Sequence, residues 1–189
     1  MKKIILTLCT VFTALICGSV FAATYDLDTR HTQIIFSASH AGFSNPIGTF
    51  KDFEGVLEFD ENDMENSNVN VTINTNSVDF NDDTWNGHMS SKNYLNVEGH
   101  PTITFKSTSV KQNGDKIMDV MGDLTFLGQT KPVTLKVDFN KVGAFMGKSR
   151  AGFVATTMID RTEYGMGYNA PIIGAKVNIR LIVEGVLRK

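Results

Sequence analysis

Residues 81–105 read NDDTWNGHMSSKNYLNVEGHPTITF and hold the single Trp of the chain, two of its four His residues and a change of hydrophobic period. Trp85, His88, Met89 and Lys92 recur at three- and four-residue spacing, so one face of a short helix over about 81–93 carries an aromatic ring, an imidazole and a thioether together. Asn81, Asp82 and Asp83 supply the N-cap and first-turn negative charge, and Asn93, Asn96 and the Gly99 to Pro101 run stop the helix after about three turns. From Thr102 the period falls to two. Ile103 and Phe105 alternate with Thr102, Thr104 and Lys106, which is the pattern of a half-buried strand. A short amphipathic helix therefore runs straight into sheet, and its apolar face needs that sheet as a partner.

Outward from this stretch the pattern is strand after strand. Upstream, 34–39 is a short strand, 48–60 a longer one in which Gly55 marks a bulge or bend, and Val69, Val71, Ile73 and Thr75 alternate with a row of Asn and Thr. Downstream, strands at 102–110 and 116–127 flank Asn113-Gly114, the strongest short-range hairpin signal. Strands at 133–139, 151–160 and 175–186 complete a count of about eight. Eight antiparallel strands, each with one polar face, suit a closed barrel or a two-sheet sandwich, because both hide the sheet edges. No linker or internal repeat interrupts the chain from Tyr25 onward, so one domain over 23–189 is expected.

The first residues are read separately. Met1-Lys2-Lys3, an apolar run from Ile4 to Val20 and the exit Val20-Phe21-Ala22 have the layout of a secretory signal peptide over 1–22, with cleavage between Ala22 and Ala23. A retained membrane anchor is the rival reading, weakened by Thr7, Thr10, Thr13, Gly18 and Ser19 within the apolar run. Cys9 and Cys17 both fall in this segment, so the mature protein has neither disulfide nor thiolate chemistry. Core burial and sheet pairing must then stabilise an exported protein, which fits a bacterial periplasm. Loss of Lys2 and Lys3 leaves 16 basic against 20 acidic residues, a balance that argues against nucleic acid as a partner and against purely electrostatic membrane binding.

A set of short motifs runs the length of the domain in order: Asp28 with His31; His40 with Gly48-Thr49-Phe50 and Phe53-x-Gly55; His88 with Tyr94-Leu95; His100-Pro101 with Phe105. Gly122-Asp123-Leu124-Thr125 with Gly128, Pro132-Val133-x-Leu135 and Asp160-Arg161-x-x-Tyr164-Gly165 follow. Together they resemble the polyisoprenoid-binding, YceI-like family of lipocalin-like periplasmic proteins over essentially all of 24–189. The resemblance implies an all-β fold, an eight-stranded antiparallel lipocalin-like barrel with the short helix inserted between strands, whose apolar interior holds a long isoprenoid or fatty chain. Members of the family commonly carry Arg-Asp ahead of the helix His, where this chain has Trp85-Asn86-Gly87-His88. If that Arg meets a ligand headgroup or braces the helix, this protein does the job differently. Equally, Trp85 is read as packing the helix onto the barrel.

A lipid pocket needs concavity, an apolar and aromatic lining and a few polar groups at its mouth. Phe36, Phe43, Phe50, Phe105, Phe126 and Phe153 are the lining candidates, although each also reads as plain core. Trp85, His88, Met89 and Tyr94 join them from the helix and the residues after it. Tyr164, in the glycine-punctuated 161–174 loop, borders a possible opening, and Arg161 is the cation able to fork onto a headgroup oxygen. The helix and this loop are the candidate lids. Burying one five-carbon isoprene unit from water contributes roughly 3 to 4 kcal/mol gross, at about 0.8 per carbon. A lipid that starts in a bilayer gains almost nothing net on entering such a pocket, so a carrier or store is expected rather than a trap.

No His-Glu-x-x-His pair and no Gly-x-Ser-x-Gly elbow occurs, so neither catalysis, a metal nor another cofactor is expected. The expected partners are an isoprenoid or fatty lipid and, transiently, a membrane, with a homodimer left open. A barrel packed solid, serving stress protection or protein interaction without a lipid, is the alternative. The eight-strand count does not decide between them.

Overall fold

The structure, a computed structural model, describes residues 22–189. The expected leader up to Phe21, with Cys9 and Cys17, lies outside the described residues. The wall is one antiparallel sheet closed on itself, in which eight chain paths follow one another around the ring. The first path is β1 (Ala23–Leu27) continued after a bend by β2 (Gln33–His40). The second is β3 (Ile47–Phe50) with β4 (Phe53–Phe59), and the third β5 (Asn68–Asn74) with β6 (Val78–Asp79). The other five are unbroken: β7 (Thr102–Gln112), β8 (Ile117–Phe126), β9 (Gln129–Phe145), β10 (Lys148–Asp160) and β11 (Ile173–Leu187). β11 closes the ring by pairing its start with β2 and its end with β1.

The count of eight is as expected, but three details differ from the sequence reading. The 48–60 strand is broken at Lys51-Asp52. Gly55 is neither bulge nor bend, since it pairs in regular register with Val71. A Cβ there would lie 2.7 Å from the Leu27 side chain and 2.8 Å from the Asn70 carbonyl oxygen, so close approach is what demands glycine. Asn113-Gly114 does open a hairpin, but through a four-residue connection closed by Asn113 N–H donating to the Ile117 carbonyl at 2.8 Å. The two-residue turns fall instead at Leu127-Gly128 and Met146-Gly147, where both residues have positive φ.

The helix, α1, is shorter than the 81–93 expected, spanning Asp83–Ser90. Asp82 caps it by accepting from Trp85 N–H at 2.9 Å. The Ser91 hydroxyl donates to the His88 carbonyl at 2.7 Å and ends it, before Asn93 or Asn96 is reached. Residues 91–101 then return through turns to β7, with Leu95 N–H on the Met89 carbonyl and Val97 N–H on the Ser90 carbonyl. α1 and this return fill the wall between β6 and β7, which are not hydrogen-bonded to each other.

The two ends of the barrel differ. At the end bearing the 60–67 and 113–116 connections, Phe59, Phe139 and Phe153 stack with ring centres 4.9 to 5.4 Å apart among Tyr25, Met64 and Met118. This aromatic triad stoppers that end. Near it Arg150 on β10 reaches Asp28 at the β1–β2 bend at 2.6 Å and also pairs with Glu184 on β11. His31 lies 2.9 Å from the same Asp28 carboxylate. The Arg150 guanidinium holds Asp28 well below the usual carboxylate range. Asp28, His31 and Glu184 come close enough to share a cation, but Arg150 supplies that positive charge. The group reads as a clasp across the closure.

Candidate functional site: an apolar cavity open at one end

On a strand, alternate side chains face inward, and in a filled barrel those side chains are fully buried. Here many are not. Phe36, Val71, Ile73, Phe105, Ile179 and Leu181 point inward yet remain only half-buried. The surface they retain faces an internal cavity of about 420 Å³, within the roughly 300–1,000 Å³ of sites that enclose small organic ligands. Phe59 and Phe153 of the stopper form its floor. Its open end lies between the 41–46 loop, α1 and the 161–172 loop, where His40, Pro46, Trp85 and His88 are lining residues.

A run of aromatic rings leads inward from that end. His40 and Trp85 have ring centres 5.9 Å apart, Trp85 and Phe80 5.4 Å, Phe80 and Phe36 5.5 Å, and Phe36 and Phe50 5.2 Å. Gly48, opposite Phe36 in the ladder, makes room for it: a Cβ there would fall 2.5 Å from Phe36 and 2.7 Å from Phe80. Phe80 escaped the sequence reading because it lies between β6 and α1, outside either period. The polar lining residues are a minority: Thr32, Ser39, His40, Ser67, Asn68, His88, Tyr94, Thr157 and Arg161.

Of the expected lining residues, Phe36, Phe50, Trp85, His88, Met89, Tyr94, Phe105, Phe126 and Phe153 all border the cavity. Two do not. Phe43 is 90 % exposed on the 41–46 loop, outside the mouth. Tyr164 is buried behind the wall, its ring 5.5 Å from Phe126, and borders a separate polar depression with Lys92, His100 and Glu163. Burial pushes its phenol upward.

Arg161 borders the cavity but is not a free headgroup cation. It is 2 % exposed. Its Nε donates to the Gly174 carbonyl at 3.0 Å, Nη1 to Met166 and Tyr168 at 2.6 and 3.2 Å, and Nη2 to Ile173 at 2.7 Å. Four of the five N–H donors of a guanidinium are thereby spent on its own loop. Desolvation pushes the guanidinium below its ordinary range. The 161–174 loop is accordingly pinned from within, which leaves α1 as the lid-like element at the mouth.

A closed antiparallel barrel of eight chain paths, stoppered at one end and enclosing an apolar cavity that opens at the other, has the lipocalin-like architecture. A profile of the YceI-like domain matches residues 25–185, and the chain belongs to that family. Protein YceI of Escherichia coli O157:H7 is 40 % identical over 192 residues, covering 100 % of both chains. The fold is shared with Burkholderia cenocepacia BcnA, at a TM-score of 0.78 and 22 % identity over 84 % of this chain and 98 % of that one. It is shared too with a polyisoprenoid binding domain from Saccharophagus degradans implicated in plant cell wall breakdown, at 0.68 and 15 % identity over 88 % and 99 %.

Proposed function

We propose that the protein binds a long-chain isoprenoid or related amphiphilic lipid non-covalently in the barrel, and stores or carries it in the periplasm after export and removal of residues 1–22. The observation that carries this reading is the cavity itself, apolar along its walls, blocked by the Phe59-Phe139-Phe153 stopper and open at the His40-Trp85 end. A side-chain-filled interior would favour the alternative of an interaction module without a lipid; the half-buried inward face of β11 supports the binding reading instead. The isoprenoid class draws on the Saccharophagus neighbour of the same fold. β1 begins at Ala23, so cleavage after Ala22 leaves every strand of the barrel in place. Exchange with a bilayer carries a free-energy change near zero, because both phases are apolar. The reading involves no catalysis.

Mass spectrometry of an organic extract of the protein, purified from its own periplasm without detergent, tests this directly. A stoichiometric polyprenyl or quinone species supports the carrier. Repeated absence of lipid from folded protein, together with failure to take up lipid added as monomer, overturns it.

A further inference from the structure

Five of the large apolar side chains that stand out into solvent gather around the open end. Phe43 comes from the loop between β2 and β3 and Ile47 from the first position of β3, Tyr168 and Ile172 from the loop between β10 and β11, and Trp85 from α1. Ile47 is 63 % and Ile172 57 % exposed. The two loops are tied into one rim: Ala41 N–H donates to the Ile172 carbonyl at 2.7 Å, and His40 bridges Ser44 on one side and pairs with Ile173 on the other. The two tied stretches carry no charged side chain. Residues 41–48, AGFSNPIG, and 165–174, GMGYNAPIIG, have no Asp, Glu, Lys or Arg, although these make up 20 % of the chain.

We propose that this rim docks the open end of the barrel on a phospholipid bilayer, with Phe43, Ile47 and Ile172 inserted at the headgroup–acyl boundary, so that lipid passes between membrane and cavity without crossing water. The proposal rests on the lipid-binding reading above and adds the surface and the route. Charge decides the kind of partner. The two uncharged stretches enter the boundary with no ion to desolvate, and Tyr168 on one of them and Trp85 beside them are residue types that settle there. Asp82 and Asp83 flank Trp85 at the start of α1, so anionic lipid offers no added attraction and docking is insensitive to salt. Extent argues against a protein partner. The two loops offer 18 residues, of which four are large exposed apolar groups, fewer than the roughly 20 to 30 residues a side of a stable protein interface.

The test uses mature full-length protein and phosphatidylcholine vesicles carrying a pyrene-labelled polyprenyl lipid. Transfer to acceptor vesicles is expected to speed up in proportion to acceptor concentration. F43S/I172S, altered only at solvent-facing loop positions, is expected to transfer at least tenfold more slowly and to lose flotation with cargo-free vesicles. Its cavity should still load fully from lipid injected as monomer, read by Trp85 fluorescence. Wild-type transfer at a rate independent of acceptor concentration, or an F43S/I172S rate equal to wild type, overturns the docking while leaving the cavity reading intact. A wild-type dimer that F43S/I172S dissolves in analytical ultracentrifugation overturns it in favour of a second copy. Failure of monomer loading in both proteins overturns the cavity reading and the docking with it.

Discussion

Trp85 packs beside His40 at the open end, their ring centres 5.9 Å apart and their planes inclined by 38°. The indole is 39 % exposed and at the same time lines the cavity, so an alkyl chain entering the barrel must change its surroundings. Lipid is expected to shift Trp85 emission to shorter wavelength. Trp85→Ala should weaken binding about 5- to 30-fold, as loss of an aromatic contact of about 1 to 2 kcal/mol implies. Unaltered affinity and emission would confine α1 to scaffolding.

Ala38 lines the cavity on β2, one inward position from His40. Ala38→Phe adds a ring where the lipid chain would lie. It should reduce loading at least tenfold while the thermal midpoint moves by only a few degrees, since the added group enters open space rather than packed core. A variant that loads normally would show that the bound chain avoids this part of the cavity.

Arg161 binds four carbonyls of its own loop. Its removal leaves those acceptors unsatisfied beside an apolar cavity, and Arg161→Gln is expected to destabilise the fold by about 3 to 5 kcal/mol. Arg161→Lys should restore little, because an ammonium cannot reproduce the planar fork. Thermal unfolding decides the point. A Lys variant as stable as wild type would mean that charge, and not the fork, holds the loop.

Asp28 has its carboxyl pulled down by Arg150 first and by His31 after it. A carboxylate with a depressed folded-state pKa contributes stability that is present above its unfolded value, about 3.9, and is lost as pH falls through the lower folded value. Unfolding free energy should therefore drop steeply below about pH 4. Asp28→Asn is expected to lower stability at pH 7 by about 1 to 2 kcal/mol and to flatten the acid limb. An identical acid limb in the variant would assign it to other carboxylates.

The barrel wall was largely legible because its chemistry is local. Val69, Val71 and Ile73, or Val177, Ile179 and Leu181, alternate with polar neighbours, and inside/outside follows at once. Phe36, Phe50, Phe105, Phe126 and Phe153 stand out as large aromatic side chains in the strands, and each borders the cavity. β1 was missed because Ala23–Leu27 is short and fully buries only Tyr25; what makes it a strand is pairing with β4 on one side and β11 on the other. Phe43 misled because a Phe is ordinarily buried, and nothing in Ala41-Gly42-Phe43 tells that the turn at Ala41 and Gly42, both at positive φ, carries it outward. Arg161 misled for a related reason. A loop cation looks available until the loop is seen to fold back over it.

The section of wall between β6 and β7 is built from side chains, with Leu95, Tyr94 and Met89 packed where backbone pairing would otherwise run. A ladder fixes the spacing of neighbouring strands at about 4.8 Å, whereas a packed segment can slide. This section would serve as an expansion joint. Displacing α1 and residues 91–99, with Thr75 still holding the His100 and Pro101 carbonyls, would widen the bore for a thicker guest and leave every rung of the surrounding sheet unbroken.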